Sequence, residues 1–156
     1  VESLIRKTLW VAALVVLAVV PALVPAPANA QQGHDLDAYR GKVVWVDFWA
    51  SWCTPCRRSF PWLNEIMAKY GGREFVVVGV NVDTERELVE QFLREVPAAF
   101  PIIYDPKGTL AKEFDVLGMP SSYLLGPDGD VISSHIGFRR DERDNYEAAI
   151  VSALSN

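Results

Sequence analysis

Cysteine is scarce in this chain of 156 residues: there are two, Cys53 and Cys56. A scaffold stapled by disulfides is therefore not expected. Two cysteines three residues apart close a loop too small to remove much unfolded-chain entropy. Histidine is equally rare, with His34 and His135 alone. A tetrahedral zinc site wants four ligands, and these histidines lie far from the cysteine pair and from each other. No metal site and no cofactor is expected. Long basic runs are missing too. None exceeds two residues, and 15 Lys+Arg stand against 20 Asp+Glu. That argues against a nucleic-acid partner. No internal repeat or low-complexity tract follows residue 30. No cysteine lies near Ala30, so a lipid anchor on cysteine has no attachment point.

Charge is nearly absent from the first 30 residues, where Glu2, Arg6 and Lys7 stand alone. Leu9 to Val20 is unbroken apolar sequence, followed by Pro21, Pro25, Pro27 and a small-residue end, Ala28-Asn29-Ala30. A positive start, a short apolar stretch and an A-x-A site read as a secretory signal peptide. An uncleaved anchor is the alternative. The stretch from Leu9 to Val24 contains a proline and falls short of the ~20 residues a spanning helix needs. The expected division is a signal peptide over 1–30 and one domain over 31–156, exported to the periplasm.

What is present is concentrated in Trp52-Cys53-Thr54-Pro55-Cys56. Two thiols at this spacing suit a reversible disulfide. One can sit at a helix N-terminus, where unpaired N–H groups and the helix dipole favour thiolate. The other lies one turn inside.

Lys42 to Ala50 is dense in β-branched and aromatic residues and predicts a buried central strand. Cys53 to Tyr70 predicts a helix, with Phe60, Leu63, Ile66 and Met67 at helical spacing and a kink at Pro61. Glu74 to Val82 predicts a second buried strand. Thr84 to Val96 predicts an amphipathic helix, with Thr84 as N-cap and Glu87 completing a capping box. A strand over Phe100 to Tyr104 and a helix over Lys107 to Phe114 come next. Strands over Ser121 to Leu125 and Val131 to Ile136 flank the turn signal Gly126-Pro127-Asp128-Gly129. Asp141 to Leu154 closes the chain as a helix. This order implies parallel strands with crossovers, then a terminal hairpin.

Three segments carry a family resemblance: VDFWASWCTPC at 46–56, Met119-Pro120 before a strand, and the terminal hairpin with Gly126 to Asp130. With the inserted stretch Asp83 to Tyr104, they resemble the thioredoxin superfamily, and within it the exported TlpA/ResA-like thiol-disulfide oxidoreductases. The resemblance covers about residues 36 to 154. It implies an α/β thioredoxin-like fold: a mixed central sheet, helices on both faces and an inserted helix-strand segment. It implies that Cys53 is the exposed attacking thiol and Cys56 the resolving thiol. Pro120 would be a cis-proline facing the disulfide, and the Met119 backbone would pair with an extended substrate. Asp47 would be the buried aspartate behind the disulfide. The chain departs from the subgroup at Ser59, where Glu is frequent, and at Asp47, where Asn is frequent.

Taken on their own residues, these positions leave alternatives. Asp47 is either an exposed carboxylate at a strand edge or a buried one with a raised pKa, able to relay a proton for Cys56. Trp52 is either packing or a substrate-facing surface beside Cys53, with Thr54 and Pro55 alongside. Arg57 and Arg58 form a solvated helix face or tune the Cys53 thiolate. His34 and His135 read as ordinary surface or strand residues. The function expected is thiol-disulfide exchange on protein thiols and disulfides of the cell envelope, and the resemblance implies the reducing direction. The protein would act as a monomer, with electrons from a membrane thiol donor. A peroxiredoxin-like peroxidase is one alternative. A copper metallochaperone is another, with His135 the candidate third ligand.

The export reading has a direct check. Mass spectrometry of the protein from an expressing cell is expected to find Gln31 at the N-terminus. A membrane-embedded product that retains residues 1–30 would overturn it.

Overall fold

The computed structural model describes residues 35–72 and 74–155. The expected signal peptide and His34 lie outside them. Five strands form one sheet: β1 (Val43–Trp49), β2 (Phe75–Asn81), β3 (Ile102–Tyr104), β4 (Ser121–Leu125) and β5 (Val131–Ile136). Their order is β3-β2-β1-β4-β5. β1 pairs in parallel with β2, and β2 with β3. β4 runs antiparallel to both β1 and β5. The helices are α1 (Thr54–Tyr70), α2 (Arg86–Glu95), α3 (Thr109–Glu113) and α4 (Arg143–Leu154).

β1 and β2 are buried along their whole length. That explains why both read as near-continuous apolar runs rather than alternating ones. Successive side chains of β1 point to opposite faces. Val43, Trp45 and Trp49 pack with α1, with Val89 and Phe92 of α2 and with Ile150 of α4. Val44, Val46 and Phe48 pack on the other face with Leu110 of α3 and with Leu36 and Tyr39. Those last two belong to a 3-10 helix, Asp35–Tyr39, in what reads from sequence as polar lead-in.

β1, β2 and α1 shift by one residue at one end or both, and larger differences occur at β3, α2, α3 and α4. β3 begins at Ile102, not Phe100, because Pro101 has no N–H for the ladder. Its carbonyl still accepts from Gly79 N at 2.9 Å. α2 begins at Arg86, and its N-cap, Glu85, makes no side-chain capping bond. Thr84 is therefore not the cap; its carbonyl accepts from the Tyr104 hydroxyl at 2.9 Å. α3 begins at Thr109 rather than Lys107, after Gly108 at φ 63°. Asp105 caps it by accepting from Thr109 N at 2.8 Å and Ala111 N at 2.9 Å. A 3-10 turn, Arg140–Glu142, precedes α4. The two hairpin strands fall within their expected bounds, and Gly129 takes the turn at φ 88°.

Beneath the cysteine-bearing loop lies an aromatic cluster. Trp49 meets Phe92 at 4.6 Å and Phe60 at 4.9 Å between ring centroids. Phe60 also meets Phe92 at 5.1 Å and Phe100 at 5.2 Å. Phe92 thus ties α2 to both β1 and α1. Phe92→Ala is expected to cost about 3–5 kcal/mol. Urea unfolding checks it; a loss below about 1 kcal/mol would show that α2 does not depend on this ring.

Candidate active site

The site is built at the start of α1. Unpaired N–H groups there need acceptors. Cys53 is the N-cap, and its sulfur accepts from Cys56 N at 3.2 Å. Pro55 occupies the first turn, where a missing N–H costs nothing. One turn of helix brings the sulfurs together, and Cys53 and Cys56 are joined as a disulfide. Cys56 is fully buried. Cys53, expected to be exposed, is only 3% exposed in this bonded form, because its sulfur is turned onto the helix start. The exposed residues of the motif are Trp52, at 69%, and Thr54.

The loop before Cys53 is clamped by residues that sequence reasoning missed. Asp83 accepts from Ser51 N at 2.8 Å, from Ser51 Oγ at 2.9 Å and from Asn81 Nδ2 at 2.8 Å. Asn81 in turn accepts from Asp83 N at 3.0 Å. Both Asn81 and Asp83 are buried. The available signal was polar residues at the carboxyl end of an apolar strand, where α/β sheets place their sites.

Asp47 lies in the middle strand, on the Trp45 and Trp49 side, and is 1% exposed. That removes the strand-edge alternative. Its carboxylate accepts from the Ser122 hydroxyl at 2.6 Å, while Oδ2 has no partner among the described residues. Burial raises its pKa to about 7, against the opposing effect of the Ser122 hydrogen bond. Ser59 is also buried, but its hydroxyl is spent on the Cys56 carbonyl at 3.0 Å.

Arg57 is engaged outside the cysteine pair. It pairs with Glu95 at 2.8 Å and lies 4.8 Å over the Phe92 ring. Arg58 is exposed. The Met119–Pro120 peptide bond is cis. The Pro120 carbonyl accepts from Gly137 N at 2.7 Å. Met119 packs against the apolar cluster that contains both cysteines. His135 stands apart on β5 and stacks on Tyr146 with ring centroids 4.1 Å apart. Among the described residues no group of three or more His, Cys, Asp or Glu could hold a metal ion.

A family model described as Redoxin matches residues 18–150. The chain belongs to the Redoxin family. Among curated relatives of this Redoxin, the thiol-disulfide oxidoreductase ResA of Bacillus thuringiensis is 30% identical over 109 residues, 70% of this chain. The match spans 63% of that relative's length, just under two thirds. Among solved structures, a thiol:disulfide interchange protein DsbE from Chlorobium tepidum is 45% identical with TM-score 0.74, covering 76% of this chain and 84% of that one. StoA from Bacillus subtilis is 27% identical with TM-score 0.62, covering 70% and 83%. The fold is thioredoxin-like, and the Redoxin is of the ResA/TlpA-like kind.

The neutral carboxyl of Asp47 makes stability depend on pH. Well below pH 3.8, its ordinary value, it is neutral in both states. Between there and about 7 it stays neutral only in the folded protein, so unfolding releases a proton and rising pH favours the unfolded chain. The oxidised protein is expected to lose on the order of 4 kcal/mol through this one group as pH rises through that window. Asp47→Asn should remove that part of the loss and be the more stable form at pH 8. Urea unfolding of both proteins across the range checks it; identical pH dependence would mean the carboxyl is charged when folded.

Proposed function

We propose that this Redoxin is an exported thiol-disulfide oxidoreductase that works as a reductant on protein disulfides of the cell envelope. The observation that carries this reading is the Cys53–Cys56 disulfide set into the first turn of α1, with the Cys53 sulfur on a helix N–H. The same N–H would stabilise the thiolate once the bond is reduced.

In the reduced protein, Cys53 thiolate attacks one sulfur of a substrate disulfide. A Cys53–substrate bond forms and the other substrate sulfur leaves as thiolate. Cys56 then gives its proton to Asp47 and attacks Cys53. The Cys53–Cys56 bond forms, and the second substrate sulfur leaves and takes up a proton. Two electrons pass from the protein dithiol to the substrate. A carboxyl with pKa about 7 is suited to accept a proton near neutral pH. Substrate would lie against Trp52, Thr54 and Pro55 and pair with the Met119 backbone beside Pro120. A membrane thiol donor would restore the dithiol, and the protein would act as a monomer. Among the described residues no helix is long and apolar enough to cross a membrane.

Trapping in the native envelope separates the two thiols. Cys56→Ser leaves the first attack possible and blocks resolution, so it is expected to accumulate mixed disulfides with envelope proteins. Cys53→Ser should accumulate none. Non-reducing gels with mass spectrometry read the outcome. The reverse pattern would exchange the roles, and no adduct with either variant would overturn the activity.

A further inference from the structure

Three residues on three adjacent strands form a row beneath α1 and α4. Asp47 on β1 lies opposite Ser122 on β4. Ser122 lies opposite His135 on β5, the edge strand. Directly opposed residues share a face of the sheet, with Cβ atoms about 4.5–5.5 Å apart. The Asp47–Ser122 contact is made, at 2.6 Å. His135 is the one residue of β5 that is not exposed. Its Nε2 is buried without a hydrogen-bond partner, which is costly for a ring nitrogen. Its ring is set by stacking on Tyr146, at an interplanar angle of 7°, and by Trp45 at 5.4 Å.

We propose that Ser122 and His135 extend Asp47 into a proton path that carries the resolving thiol's proton across the sheet to the β5 edge. The proposal rests on the thiol-disulfide reading above. It answers a question that reading leaves: a fully buried Asp47 that has taken a proton from Cys56 must lose it before the next turnover.

A hydroxyl suits the middle of such a path, since it donates one hydrogen and accepts others. With Asp47 ionised, Ser122 donates to it. Once Asp47 holds the Cys56 proton, it donates to Ser122 Oγ, which frees the hydroxyl hydrogen to turn toward His135 Nε2, a hydrogen bond not made in this structure. Asp47 returns to carboxylate and Ser122 is unchanged. His135 becomes imidazolium and loses the proton on its other ring nitrogen, Nδ1, to water at the strand edge, Nε2 being buried. One proton moves and no electrons do.

Burial acts on both ends: it raises Asp47 to about 7 and lowers His135 from its ordinary 6.5, so His135 passes a proton on to water rather than holding it. The groups facing His135 are Ser122 from β4, Trp45 from β1 and Tyr146 from α4. Tyr146 is pushed up from its ordinary 10 by burial. Arg139, Asp141 and Glu142 lie beside Tyr146. Arg139 and Asp141, both exposed, are ion-paired, which pushes Arg139 up and Asp141 down.

The test uses the full-length reduced protein and a dithiobis(nitrobenzoate) disulfide. Attack by Cys53 releases one chromophore and resolution by Cys56 releases the second, so stopped-flow separates the steps. His135→Phe keeps a ring against Tyr146 without the nitrogens. It and Ser122→Ala are expected to slow the second release relative to the first by about ten-fold near neutral pH. Added imidazole should restore the second release in His135→Gly, where the missing ring leaves room for it, and Ser122→Thr, which keeps the hydroxyl, should behave as wild type. A second release in His135→Phe and Ser122→Ala that matches wild type at every pH, while Asp47→Asn is slow, would overturn the path alone. Slowing without imidazole rescue would also overturn it, because it would mark a packing role. A wild-type protein that releases no second chromophore would instead sink the thiol-disulfide reading. Should the variants fail to fold, nitrogen NMR of His135 in the oxidised wild-type protein and in Asp47→Asn decides. A changed His135 titration is expected, and an identical one would overturn the proposal.

Discussion

The start of α1 is the constraint on which the site depends. A helix leaves its first N–H groups without partners, and here a sulfur takes one of them. That single arrangement places Cys53 at the cap and Cys56 one turn in, within bonding distance. It only works if the chain enters the helix from a fixed direction. Asp83 supplies that by gripping both the backbone N–H and the hydroxyl of Ser51. The other end of the constraint is Phe60, buried one turn beyond Cys56 against Trp49 and Phe92. The sulfurs are therefore held from the loop before them and from the helix after them.

Asp47 is the cost that accompanies this geometry. A carboxyl with one hydroxyl partner, set in the middle strand, is destabilising whenever it must be charged. Apolar neighbours on both adjoining faces would pack at least as well. Ser59 cannot take over the proton, because a hydroxyl is not an acid near neutral pH and this one is already bonded to the Cys56 carbonyl. A buried carboxyl that is expensive to ionise, placed on the face that α1 covers, is consistent with the proposed role of proton acceptor for Cys56.

The elements that sequence displayed best are those whose signal is local. β1 and β2 announce themselves by apolar runs, β4 and β5 by the turn residues between them, and α1 by its apolar spacing. The misses occur where a neighbouring proline or a distant partner decides. Thr84 has the residue type of a cap, yet Tyr104 claims its carbonyl and the helix starts later. Phe100 packs as a strand residue should, but Pro101 breaks the ladder after it. Asp47 stayed open in sequence because nothing local says whether a strand is central or at an edge. His135 looked ordinary for the same reason. Its place opposite Ser122, and so in line with Asp47, depends on the register of three strands, which no periodicity encodes.

The inserted segment between β2 and the proline loop, Asp83 to Tyr104, could in principle be an appendage to the sheet. Its contacts argue otherwise. Asp83 clamps the loop before Cys53, Phe92 and Phe100 complete the aromatic floor, and Glu95 binds Arg57. The last contact bears on the chemistry. Arg57 is the cation nearest in sequence to the cysteines, but its guanidinium is paired with Glu95 and laid over Phe92. Its charge is largely answered there. The N–H that the Cys53 sulfur does accept from belongs to the N-terminus of α1, and the loop leading into it is aimed by hydrogen bonds that the insertion provides.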